Sequence, residues 1–176
     1  MLITIIMIAI ALSMDAFSLS LLYGTIGINY RKKLELSTIV GIYHFIMPII
    51  GYFFGKQIIS FIPIKTNVIV GIIFLILGLE MLNSIKKEEK IEELKNIWTF
   101  IIFGFTVSID SLSVGITLSS ISKSIILPPT IFSITSLIFT YMGITLGKTL
   151  NKNYGIYSIL FGSIILIGLA VFYLFS

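Results

Sequence analysis

Ser13-Met14-Asp15-Ala16-Phe17-Ser18-Leu19-Ser20 and Ser108-Ile109-Asp110-Ser111-Leu112-Ser113-Val114-Gly115 are two copies of one pattern, S-[MI]-D-[AS]-[FL]-S-[LV]-[SG]. Their aspartates stand 95 residues apart. A second pair follows at an offset of 92 residues, Gly51-Tyr52-Phe53-Phe54-Gly55-Lys56 against Gly143-Ile144-Thr145-Leu146-Gly147-Lys148. A looser third pair sets Ile76-Leu77-Gly78-Leu79 against Leu166-Ile167-Gly168-Leu169. The order is the same in both halves, so the chain reads as a duplicated unit.

Around these segments the sequence is too apolar to face water. Of 176 residues, 57% are hydrophobic and 11% charged, whereas a soluble domain carries about 25% charged residues. Six apolar stretches, 2–24, 36–61, 67–84, 97–120, 124–150 and 154–175, each approach the roughly 20 residues that cross a bilayer as a helix. The first lacks a basic leader and a small-residue cleavage site, so it reads as a retained span. Arg31 to Lys33, Pro63 with Lys65, the run 86–95, Lys123 with Pro128 and Pro129, and Asn151 to Asn153 break the stretches apart.

Two units of three spans enter the membrane with opposite orientation. The reading is therefore an all-α integral membrane protein of six transmembrane helices, built as two inverted three-helix repeats. Residues 1–85 form the first repeat, 86–96 a charged cytoplasmic linker and 97–176 the second repeat. The odd-numbered loops hold nine Lys and Arg and the even-numbered loops three. The positive-inside rule then puts the odd loops in the cytoplasm and both termini outside. Glu88, Glu89, Glu92 and Glu93 in the linker suit a solvated helix better than a regulatory metal site.

Asp15 lies 13 residues beyond Leu2, and Asp110 lies 13 beyond Ile97. At about 1.5 Å per residue in a core about 30 Å thick, both reach the middle, from opposite sides. An aspartate there costs about 2.5–3.5 kcal/mol and marks a substrate or proton path. The bland alternative is a polar contact between helices. Two carboxylates balance one divalent cation, and carboxylate and hydroxyl oxygens suit hard ions such as Mg²⁺, Ca²⁺ and Mn²⁺. Asp15 and Asp110 are the expected metal ligands.

Other residues support that pair. Ser18 and Ser113 follow their aspartates by three positions and share their helix face. Ser13, Ser20 and Ser108 fall on other faces and suit packing. Met14 offers a soft thioether, but its counterpart is Ile109 and methionine also fills gaps. Glu80 is expected near the cytoplasmic end of the third span, as a proton acceptor, an entry ligand or a partner of Lys86 or Lys87. His44 is a relay, a ligand or a satisfied interhelical hydrogen bond. Pro48 frees the His44 carbonyl and is expected to kink the second helix. Trp98 and several tyrosines fit an interfacial belt.

Whole classes of chemistry drop out. Without cysteine there is no disulfide framework, thiolate site or Cys nucleophile. One histidine makes no His-rich zinc site. No P-loop, nucleophile elbow or nucleotide fingerprint occurs. Neither an ATP-driven pump nor an enzyme is expected, and the net charge of +4 reports topology rather than nucleic-acid binding. Transport is then driven by an ion gradient or the membrane potential.

With these residues identified, the chain resembles the MntP manganese efflux pump family. The resemblance rests on Ser13 to Phe17, on Ser108 to Gly115, on Met47-Pro48-Ile49-Ile50-Gly51 and on the glycines of the third and sixth spans. It implies a LysE-like transporter fold, export of Mn(2+) as transported substrate with no permanently bound cofactor, and functional roles for Asp15 and Asp110. It also implies the plasma membrane of a prokaryote. Glu80 departs from the family pattern, which is often basic there. Expected partners are membrane lipids and the metal ion, with a homo-oligomer left open. The alternatives are export of another divalent cation or a small solute of the same superfamily, or a sporulation-associated relative. An amino-acid substrate is disfavoured because the spans hold no Arg or Lys to take its carboxylate.

Overall fold

The computed structural model describes residues 2–25, 27–61, 65–85, 97–147, 149 and 153–175, and these are almost wholly helical. The elements are α1 (Leu2–Thr25), α2 (Tyr30–Phe61), α3 (Thr66–Ser84), α4 (Ile97–Val107), α5 (Ile109–Ile121), α6 (Leu127–Leu146) and α7 (Asn153–Phe175). Five helices are long and apolar enough to cross a membrane. A sixth span results if α4 and α5, bent by 41° where they meet, count as one. The chain is an integral membrane protein on this ground. The linker 86–96, Pro63 and Lys152 lie outside the described residues.

Three expectations shift. The second helix starts at Tyr30 rather than Leu36, so Arg31 and its neighbours ride on its first turns. There Arg31 Nε meets Glu35 at 3.0 Å, one turn on. The fifth apolar stretch becomes helical at Leu127, and Pro128 and Pro129 sit in its first turn, where a missing N–H costs nothing. The fourth stretch is not one straight rod.

Helix contacts explain the packing. Along α1 and α6 they advance together, with Ser13 against Ser136, Ser20 against Gly143 and Gly24 against Gly147, so the two helices run parallel. Along α2 and α4–α5 they do the same, with His44 against Ser108, Gly51 against Gly115 and Gly55 against Ile116. In contrast, α7 runs against both neighbours. Its Gly155 and Gly162 meet Ser18 and Ala11 of α1, and its Ile167 and Leu174 meet Gly78 and Gly71 of α3.

Small residues permit this closeness, as is usual where lipid removes the hydrophobic drive between helices. A Cβ on Gly115 would strike the Pro48 carbonyl and come within 2.8 Å of the Pro48 Cα. A Cβ on Gly24 would strike the Ile144 carbonyl and come within 2.8 Å of the Gly147 Cα. Large apolar side chains such as Ile3, Ile42, Phe53, Trp98, Ile134 and Phe172 point outward, where hydrocarbon solvates them.

The buried core forms two apolar clusters. One holds Ile8 and Leu12 of α1, Tyr52 of α2, Val114 and Leu118 of α5 and Phe132 of α6, backed by α3 and α7. The other holds Tyr23 of α1, Val40 of α2, Phe103 and Val107 of α4 and Ile144 of α6. Four helix paths pass from one cluster to the other, and each does so through a fully buried polar residue: Ser13, His44, Ser108 or Ser136. A polar layer thus lies between two apolar plugs.

Candidate metal pathway

The two aspartates sit just beyond that layer. Asp15 follows Ser13 inside the unbroken α1 and is partly buried. Asp110 follows Ser108 and is the second residue of α5, in its first turn and also partly buried. Ser108 itself is the single residue between α4 and α5, with φ −104° and ψ 4°. Asp110 therefore stands at the positive end of a half-helix, where a carboxylate is favoured. Asp15, in mid-helix, has no such field.

The two serines ahead of the aspartates have matching partners. Ser13 Oγ donates to the Ala9 carbonyl at 2.7 Å and lies 3.2 Å from Ser136 Oγ. Ser108 Oγ donates to the Gly104 carbonyl at 2.7 Å and lies 2.9 Å from His44 Nδ1. The 95-residue offset carries Ser13 onto Ser108, and the 92-residue offset carries His44 onto Ser136. Each first helix of one half thus meets the second helix of the other at equivalent positions. The glycine contacts obey the same rule: Gly51 meets Leu112 and Gly115, while Gly143 meets Phe17 and Ser20.

Glu80 is nearer the site than its place in the chain suggests. It lies within electrostatic reach of Asp110. The next residue, Met81, packs on α7 at Gly162, opposite Ala11 and Met14. Glu80 therefore stands at the depth of the aspartate segments, with an exposed side chain. Lys86 and Lys87, its suggested interface partners, lie outside the described residues.

The remaining candidates divide. Ser18 is buried with its hydroxyl against Gly155 of α7. Met14 packs beside Gly162 against the first apolar cluster. Ser113 is half-buried on α5. The α2 helix runs unbroken through Pro48, and α4 and α5 meet at a 41° bend at Ser108. Among the described residues, no three of His, Asp and Glu stand together as a metal cluster. An ion held here would complete its shell with hydroxyl, carbonyl or water oxygens.

Sequence reasoning passed over Ser136 and Thr140 on α6, both fully buried. The 92-residue offset would have found them, since it places Ser136 opposite His44 and Thr140 opposite Pro48. His44 Nε2 and Thr140 Oγ1 are buried without a hydrogen-bond partner.

Sequence comparison with known proteins gives the family. The sequence model of the family described as "Putative manganese efflux pump" matches residues 27–174. The chain belongs to this family. Three relatives named "Putative manganese efflux pump MntP" illustrate the match. The one from Bacillus pumilus is 34% identical over 175 residues, 99% of this chain and 95% of its own. The one from Methanobrevibacter smithii is 38% identical over 176 residues, covering 97% and 96%. The one from Halalkalibacterium halodurans is 32% identical over 172 residues, covering 97% and 94%. No solved structure gives a significant match. Within the family frame, the buried polar layer and the aspartates beside it are the natural place to look for the ion path.

Proposed function

We propose that this protein is a secondary transporter, not an enzyme, that exports manganese(II) from the cytoplasm through Asp15 and Asp110. In this reading residues 1–85 and 97–176 are inverted three-helix repeats of a LysE-like fold, joined by the cytoplasmic linker 86–96. The protein lies in a prokaryotic plasma membrane with both termini outside. The observation that carries the reading is the exchange of equivalent contacts, Ser13 with Ser136 and Ser108 with His44. Such exchange is what a pair of inverted halves around a midplane site produces, and it sets one aspartate from each half beside the same polar layer.

Coupling to protons or to the membrane potential follows from the charges. Asp110 and Glu80 are two acids within electrostatic reach, and their repulsion is relieved by a proton or by a divalent cation. A carrier that exchanges the two needs no nucleotide. Ser18, Ser113 and Met14 would tune the path rather than close it.

The test is Mn²⁺ uptake into everted membrane vesicles. Wild-type uptake driven by a pH gradient or a potential, and lost in both Asp15→Asn and Asp110→Asn, supports the reading. Wild-type vesicles that take up no more Mn²⁺ than empty ones overturn it. Uptake of Ca²⁺ in place of Mn²⁺ would select the second reading, another divalent cation, which the oxygen-rich site also accommodates.

A further inference from the structure

We infer that His44 is the positioning residue for Asp110, acting through Ser108 at the bend between α4 and α5. This rests on the proposed passage of a divalent cation by Asp110. Serine at the start of a helix ordinarily accepts a hydrogen bond from an N–H of the first turn. Ser108 makes no such bond. Its hydroxyl turns back to the Gly104 carbonyl at 2.7 Å and across to His44 Nδ1 at 2.9 Å. His44 Nδ1 also lies 3.0 Å from the Val40 carbonyl.

The protons decide the roles. A hydroxyl has one proton, and a carbonyl only accepts. Both carbonyls are satisfied when the Ser108 proton points to Gly104 and Nδ1 carries the ring proton. Neutral His44 is then the Nδ1–H tautomer, its proton shared between the Val40 carbonyl and Ser108 Oγ. Both side chains are fully buried. Ser111 Oγ donates to the Ser108 carbonyl at 2.6 Å and ties the first turn of α5 to the same residue. Asp110 lies between Ser108 and Ser111, so α2 sets its position through the bend.

The other half is the internal control. Ser13 makes the same bond back to its own helix, but its cross-helix partner is Ser136 at 3.2 Å. There α1 continues without a break. His44 Nε2 takes no part in the clamp, and this separates the role from direct ligation. Asparagine places an amide where Nδ1 stands, and glutamine places one nearer Nε2.

The experiment compares Mn²⁺ uptake kinetics of His44→Leu, His44→Asn, His44→Gln and Ser108→Ala vesicles with wild type. Removing one buried hydrogen bond is worth about three- to tenfold in an equilibrium. The expected result is a rise of about that size in apparent KM for His44→Leu and Ser108→Ala, with the double variant no worse than either. His44→Asn is expected to restore the wild-type KM and His44→Gln not to. Rescue by glutamine but not asparagine overturns the positioning role in favour of Nε2, and additive effects or an unchanged KM overturn it outright.

A second readout needs no transport. The chain has no cysteine, so spin labels on Ile102→Cys and Ser120→Cys report the distance across the bend. Broadening in His44→Leu but not in His44→Asn is expected. An unchanged distribution overturns the clamp even if Mn²⁺ proves not to be the cargo.

Discussion

Asp15 and Asp110 occupy the same motif and differ in the helix that carries them and in the residue across from its serine. The Ser13 side is a straight helix with a serine across from it. The Ser108 side is a bent span with a histidine across from it, an aspartate in the first turn of the half-helix α5, and Glu80 within electrostatic reach. The motif cannot itself explain the bend, because Ser-x-Asp is a helix-start signal in both copies. What differs is the partner from the other half, His44 against Ser136. The half-helix that results is the form in which transporters build ion sites, with its terminal field near the midplane. The lesson is that a duplicated motif can become two unequal halves of one site through a change on a neighbouring helix.

The comparison can be broken most forcefully at the acids. Asp15→Asn and Asp110→Asn should each abolish Mn²⁺ uptake in vesicles. Survival of one variant would show that a single half carries the ion. Next in size is backbone contact. Gly115→Val should push α5 from Pro48 and lower the yield of folded protein, with overpacking worth about 1–3 kcal/mol. Gly143→Val should do the same between α6 and α1. Thermal stability of the purified protein in detergent would measure both, and loss at one of the two contacts alone would deny their equivalence.

Glu80 sharpens the asymmetry. Glu80→Gln should raise the apparent KM for Mn²⁺ several-fold, roughly the effect of losing one nearby charge, and flatten the response to a pH gradient. An unchanged profile would show that Glu80 takes no part beside Asp110. The smallest effect is expected for Ser136→Ala, whose 3.2 Å contact with Ser13 joins two neutral hydroxyls. Its uptake should stay within about threefold of wild type and above that of Ser108→Ala. A larger loss in Ser136→Ala would move the sensitive point to the unbent helix.

Much of this was legible in the chain. The apolar lengths marked the spans, and the two offsets marked the equivalent positions, although not which residues meet across helices. Ser18, expected to support Asp15 from the same helix face, lies against Gly155 of α7, a neighbour that i, i+3 spacing does not name. Glu80 looked interfacial from its distance to the linker, yet the fold brings it within electrostatic reach of Asp110. Pro48 stands inside the unbroken α2, while the bend between α4 and α5 falls at Ser108, which no proline marks.

By itself the sequence determined the membrane class, the repeated motif and the family. Bilayer thickness and helix rise convert the length of an apolar run into a span. Only the tertiary structure decided that one copy of the motif lies within an unbroken helix and the other at a bend. Those outcomes depend on side chains more than 60 residues away in sequence, His44 for Ser108 and Ser136 for Ser13. Local propensity has no access to such partners.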